Sequence, residues 1–164
     1  LIATQDPASL FYAALELRMG VEARLQAYAH ANSEVVASLK RGWQIQKLAQ
    51  GLDKVFKRAR DVVQLTYQIP GQTEPFMVLR YTPVTSRLTK IAEKLGDYLH
   101  YRAHRVTRDD AWWEDFRLLV VEGHELLAMA TSGELLGPPL WYPKTGPIQV
   151  VGERQNAVNQ LSRH

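Results

Sequence analysis

The stretch "DVVQLTYQIPGQTEPFMVLRYT", residues 61–82, decides how the chain is built. Its first part alternates: Val63, Leu65, Tyr67 and Ile69 fall on one side, Gln64, Thr66 and Gln68 on the other. A period of two is the signature of a half-buried strand, because successive side chains of an extended chain point to opposite faces. "PGQTEP" then supplies turn chemistry, and "FMVLRYT" returns with Met77, Leu79 and Tyr81 on one face. The segment therefore predicts a β-hairpin with a loop of about four to six residues. A two-stranded hairpin is marginal in water, so its apolar face is expected to pack on something larger.

On both sides of the hairpin the period lengthens to that of a helix. Asp6-Pro7 combines an N-cap acceptor with a proline at the first helical position. Leu10, Ala13, Leu17, Val21, Leu25 and Tyr28 then recur at three and four. Ser33 is placed to cap a second helix buried through Val36, Leu39, Trp43, Leu48, Leu52, Val55 and Phe56. Gly42 and Gly51 weaken that helix by ~1 kcal/mol each relative to Ala, so a bend or a split is expected. The short connection predicts an antiparallel pair.

A third helix is expected from Thr85-Ser86 to about Arg105, buried through Leu88, Ile91, Leu95 and Leu99. Asp109-Asp110 caps a fourth, with Trp112, Phe116, Leu119, Gly123 and Leu126 along one face. After Gly133 the chain changes character. "GPPLWYPKTGP" cannot be helical, "IQVV" reads as one strand, and "RQNAVNQLSRH" as a short last helix. The expected fold is mostly α: an up-and-down four-helix bundle over 1–133, with the hairpin inserted at about 61–82, and a Pro-rich extended tail over 134–164. That tail is too apolar for a linker and is expected to wrap its own bundle or a second subunit.

Composition excludes several chemistries. There is no cysteine among the 164 residues, which rules out disulfides, zinc ribbons and thiol catalysis. No apolar run approaches the ~20 residues of a membrane span. The opening "LIATQDPASL" lacks the basic start and apolar core of a signal peptide, and since it does not begin with Met, leading residues are expected to be missing. The expected location is cytoplasmic. Phosphate-binding glycine loops, nucleophile elbows, EF-hand loops and H-E-x-x-H are all absent.

The net charge of +3 is unevenly spread. Lys40, Arg41, Lys47, Lys54, Lys57, Arg58 and Arg60 face one acid, Asp53. Arg80, Arg87, Lys90, Lys94, Arg102, Arg105 and Arg108 face only Glu93 and Asp97. Two such basic stripes suit a polyanion such as RNA or a nucleotide; the plainer reading is a solvated surface balanced by the acids of 109–134.

"KLGDYLHYRAHR", residues 94–105, sets His100 and His104 one helical turn apart with Asp97 before them. Such groups can bind a metal, yet the set needs a further ligand from another helix; His124 could serve but nothing in the sequence requires it, so neither a metal nor a cofactor is expected. On the first helix Arg18 interrupts an apolar stripe, with Glu22 one turn on and His100 or Asp97 as candidate neighbours across the bundle.

"AALELRMGVEARL" (13–25) followed by "KLGDYLHYR" (94–102) resembles the HEPN superfamily of helical bundles. The likeness covers 7–58 and 86–132, and leaves the hairpin and the tail unaccounted for. It implies a bundle that binds RNA or a nucleotide, with Arg18 and Glu22 on the first long helix. Active members are metal-independent ribonucleases. There an Arg stabilises phosphate charge and a His, four to six residues on, transfers protons across a dimer interface. Carried onto this chain, the likeness makes His100 the histidine, but Leu95 stands where the arginine belongs and Lys94 offers only a point charge. Arg24 with His30, and Arg117 with His124, fit the spacing formally. The second pair lies on one helix face and is the better catalytic candidate, although Leu25 and Leu118 replace the polar residue that usually follows the arginine.

The resemblance thus names His100, Arg117 and His124 for catalysis, and Arg18, Glu22, Lys94, Arg102 and His104 for binding. It implies a homodimer acting on RNA or a nucleotide, in a phage-defence or toxin–antitoxin setting, with catalysis weak or lost. The alternative is a non-catalytic oligomerising module that docks a protein partner through hairpin and tail.

Overall fold

The computed structural model describes residues 7–31, 44–56, 59–100, 110–138 and 149–151. Four helices pack together: α1 (Pro7–His30), α2 (Ile45–Val55), α3 (Ser86–Leu99) and α4 (Asp110–Ala130). Between α2 and α3 lies the hairpin of β1 (Val63–Tyr67) and β2 (Met77–Tyr81), and β3 (Gln149–Val151) adds a third strand. The strand order is β2-β1-β3, both pairings antiparallel, with Leu65 opposite Leu79 on one side and opposite Val150 on the other. The expected caps at Asp6, Ser33 and Asp109, the first part of the second helix, and most of the tail lie outside the described residues.

α1 is the axis of the bundle, touching each of the other three helices. It buries Leu10, Ala14, Leu17, Val21, Leu25 and Tyr28, a stripe spaced by three and four. Gly123 of α4 marks the tightest approach: a Cβ there would come within 2.6 Å of Leu17 and 2.9 Å of Ile91. Three helices thus converge on one missing methyl group.

The helix directions do not alternate strictly. Phe11 meets Phe116, Gly20 meets Leu127 and Arg24 reaches Ala130, so α1 and α4 run in parallel. Tyr98 meets Trp112 and Arg87 meets Glu122, so α3 runs antiparallel to α4 and hence to α1. The inserted hairpin is the reason. The chain past α2 and the end of β2 meet beside the C-terminal end of α1, which sends α3 back along it.

That meeting point is a pair of buried tyrosines. The Tyr28 and Tyr81 rings lie edge to face at 5.4 Å. Tyr28 donates its hydroxyl to the Thr82 carbonyl at 2.9 Å, and Tyr81 donates to the Ala59 carbonyl at 2.7 Å. Burial raises both phenol pKa values above the ordinary range. The segment after α4 docks here too: Gly133 N–H donates to Thr82 Oγ1, Leu135 N–H to the Arg80 carbonyl, and Arg80 N–H to the Glu134 carboxylate. These bonds close the free edge of β2 around Arg80, a site otherwise open to strand addition.

Two boundaries differ from expectation. The strands stop at Tyr67 and Met77, so residues 68–76 form a longer connection than the turn motif implied. Within it Gln72 N–H donates to the Ile69 carbonyl, with Pro70 and Gly71 at the corner and Gly71 at φ 87°, a value that glycine adopts without strain. The third helix stops at Leu99 rather than near Arg105, because His100 is already extended (φ −80°, ψ 133°).

Gly123→Ala is expected to lower stability by ~1–3 kcal/mol in urea unfolding, the overpacking cost outweighing the ~1 kcal/mol gain in helix propensity. The tyrosines supply a pH test. Their raised folded-state pKa values stabilise the protein fully below the unfolded-state value of about 10, and this contribution falls as pH rises above it. Stability measured between pH 9 and pH 11 should therefore drop, and in Tyr81→Phe the slope should be shallower by up to ~1.4 kcal/mol per pH unit.

Candidate nucleic-acid interface

The side of the bundle formed by α2 and α3 is built on two amphipathic repeats. α2 buries Ile45, Leu48, Ala49 and Leu52, which leaves Lys47 and Lys54 on its outer face. α3 is started by Thr85, whose Oγ1 accepts from the Leu88 N–H at 3.2 Å. It buries Leu88, Ile91, Ala92, Leu95 and Gly96, and exposes Arg87, Lys90, Lys94 and Asp97. Arg60 joins the two helices: its guanidinium grips both oxygens of Asp53 on α2 and donates to Ser86 Oγ at the start of α3.

The cations divide into two sorts. Arg60 pairs with Asp53, Arg87 with Glu122 and Arg117 with Glu114. The Arg87 guanidinium holds the Glu122 carboxyl below its usual range. Lys47, Lys54, Lys90 and Lys94 make no ion pair among the described residues. Glu93, half-buried, and Asp97 temper this face. The outer face of α4 is its opposite, carrying Asp110, Glu114, Asp115 and Glu125. The bundle is polarised, with free lysines on α2 and α3 and acids on α4.

Lys94 is exposed on that lysine face. His100 is exposed and follows the last turn of α3, so the one-turn geometry expected for His100 and His104 does not begin from a helical position. Arg102 and His104 lie outside the described residues. Arg117 is held by Glu114 at 3.1 Å, and His124 is exposed two turns along the same helix. The structure does not bring His100 and His124 together within one chain. The end of α3 lies beside Trp112 and Phe116, and His124 is ~12–18 Å of helix rise further along α4. Among the described residues no group of three or more His, Asp or Glu is arranged to hold a metal ion.

Arg18 does cross the bundle, and it reaches the α3 backbone. Its Nη1 donates to the Ala92 carbonyl at 2.8 Å, over Gly96, where a Cβ would stand 2.8 Å from the same nitrogen. Neither Glu22 nor His100, two of the neighbours expected for it, is its ion-pair or hydrogen-bond partner. The signal for this in the sequence was Gly96 itself, a gap on the buried side of α3 into which a guanidinium fits.

Arg24 has a structural task that its spacing to His30 concealed. It donates from Nε to the Ala130 carbonyl and from Nη2 to the Leu135 carbonyl, both at 3.1 Å, and lies 4.9 Å over the Tyr28 ring. A cation there satisfies the Ala130 carbonyl, which the end of α4 leaves without a helical partner, and ties down the segment after it at Leu135.

At the far end of the bundle Phe11, Tyr98, Trp112, Trp113 and Phe116 form one aromatic cluster, with Tyr98 stacked on Phe116 at 4.6 Å. Burial, then the Asp115 and Asp97 carboxylates, raise the Tyr98 pKa. Of the large aromatics of α4, Phe116 is in the core, and Trp112 and Trp113 are half-buried against it.

Comparison with models of protein families, with curated proteins and with solved structures finds no match to this chain. No helix of the described residues is long and apolar enough to cross a membrane.

Arg24→Gln should lower stability by ~1.5–3 kcal/mol, the range for hydrogen bonds to a charged group, while His30→Ala leaves it within ~0.5 kcal/mol because that side chain is exposed. Parallel urea titrations of both variants check this contrast.

Proposed function

We propose that this chain is a HEPN-like helical bundle that binds RNA or a nucleotide through the lysine face of α2 and α3, with ribonuclease catalysis weak or lost. One observation carries the reading: Lys47, Lys54, Lys90 and Lys94 are presented on neighbouring outer faces without carboxylate partners. Each arginine paired on this side is already engaged by an internal carboxylate, whereas the lysines remain available to phosphate. The lysine is a mobile point charge, suited to backbone contacts and not to reading bases.

Weak or lost catalysis is supported by the placement of the titratable groups. Arg117 is engaged by Glu114, His124 is exposed further along α4 among charged neighbours, and His100 is at the other end of the α3–α4 contact. A proton-transferring histidine needs to reach the same phosphate as the charge-stabilising arginine. Among the described residues, a second copy is what would bring such an arginine to His100 or His124.

A second reading, docking of a protein partner, is favoured by the hairpin. Its core-facing side is buried at Val63, Leu65 and Tyr81, but Tyr67, Ile69 and Met77 further out are exposed, as are Phe76 and Val78. The hairpin thus overhangs the bundle with an apolar end, of a kind that marks interaction sites.

Anisotropy with labelled single-stranded RNA at low salt separates the two. The quadruple Lys47, Lys54, Lys90 and Lys94→Gln variant should bind at least about tenfold more weakly, and its salt slope should flatten by ~0.7 for each phosphate that is no longer neutralised. Absence of wild-type binding at low salt would sink the RNA reading and leave the docking reading. Incubation of the same RNA in EDTA, comparing wild type with His100→Ala and His124→Ala, reports residual cleavage: EDTA-resistant cleavage abolished in one variant assigns that histidine.

A further inference from the structure

We propose that the outer face of α1 is the surface through which two copies of this chain associate. Between Ala8 and Ala23 the exposed positions of α1 are Ala8, Tyr12, Leu15, Glu16, Met19 and Ala23, a single charge among them. Tyr12 is 65% exposed, Leu15 41% and Met19 54%. α1 is therefore apolar on the side facing solvent as well as on the side facing the core. The other three helices present the opposite pattern, with lysines outward on α2 and α3 and carboxylates on α4.

The positions 8, 12, 15, 19 and 23 form a narrow seam close to the four-three repeat along which helices pair. Charge narrows what covers it. No exposed cation lies on the seam, and Glu16 is its one charge, so a polyanion is repelled. The Lys and Arg rim by which a helix lies on an anionic membrane is absent as well. What fits is another largely apolar helix face of the same spacing, and among the described helices α1 alone offers one.

Its order of sizes also reads the same from either end: Ala, Tyr, Leu, Met, Ala. A two-fold axis midway between Leu15 and Glu16 sets Tyr12 of one copy against Met19 of the other and Ala8 against Ala23, the self-complementarity that an isologous contact requires. The three large side chains leave roughly 300–400 Å² per copy to cover, about half of the ~800 Å² per partner of a standard interface. The association is accordingly reversible and dependent on concentration.

Sedimentation of the full chain without RNA tests this separately from the RNA-binding reading. The mass should rise with concentration from 18.7 kDa toward twice that value. Leu15→Lys and Met19→Lys should each weaken association at least tenfold, with unchanged far-ultraviolet circular dichroism and an unchanged melting midpoint at low concentration. Because the chain has no cysteine, Leu15→Cys carries a unique thiol and should form an intermolecular disulfide under mild oxidation, whereas Lys90→Cys on α3 should not. A wild-type mass of 18.7 kDa at every concentration, or equal cross-linking through positions 15 and 90, overturns the proposal. So does a monomer that floats with zwitterionic vesicles, which would assign the face to lipid.

Discussion

The fold depends on two phenol hydroxyls that have been taken out of water and given carbonyl partners. Tyr81 carries the end of β2 into the interior and bonds to Ala59, past the end of α2; Tyr28 bonds to Thr82 from the last turns of α1. An unpartnered hydroxyl at this depth would cost ~1–3 kcal/mol, so each bond fixes where a backbone segment lies. Four pieces of chain meet there: the end of α1, the loop after α2, the exit of β2 and, through Arg24 and Thr82, the carbonyl end of α4. The hairpin is not stable by itself, and this junction is where the bundle holds it.

The opposite end is held by contacts of another kind. Phe11, Tyr98, Trp112 and Phe116 pack ring against ring and ask for no hydrogen-bond geometry. Between the two ends α1 touches every helix, and close approach is achieved by leaving side chains out: Gly96 admits the Arg18 guanidinium to the α3 backbone, and Gly123 admits Leu17 and Ile91 to α4. The surface then follows from what each helix has left over. Lysines without ion-pair partners among the described residues, an acidic face and an apolar stripe lie on different helices, so the proposed phosphate contact and the proposed self-contact involve separate sides of one small bundle.

Much of the architecture could be read from spacing. The period-two segment does form a hairpin, in which Val63, Leu65 and Tyr67 pair with Tyr81, Leu79 and Met77, and "IQVV" does contribute a strand, at Gln149–Val151. The core residues of α1, α3 and α4 lie on the stripes their periodicity marks. The candidate site was legible only in part. Lysine-rich stripes are visible in a sequence, but whether a given cation is free depends on carboxylates far away in the chain: Arg87 is neutralised by Glu122, and Lys90, three residues on, is not. Arg18 stood out as a charge on an apolar stripe, and Arg24 only for its spacing to His30. Nothing local showed that they would reach backbone carbonyls, because Ala92, Ala130 and Leu135 carry no side-chain signal.

What the sequence determined by itself is the kind and order of the elements, because helix and strand periods, caps and turn residues act over a few neighbouring positions. What only the tertiary structure decided is direction and partnership: that α4 runs with α1 and not against it, that the chain after α4 closes the edge of β2 at Arg80, and that α1 keeps an apolar face turned outward. These follow from hydrogen bonds and contacts between residues tens of positions apart. A local pattern is the same whichever neighbour it finally meets.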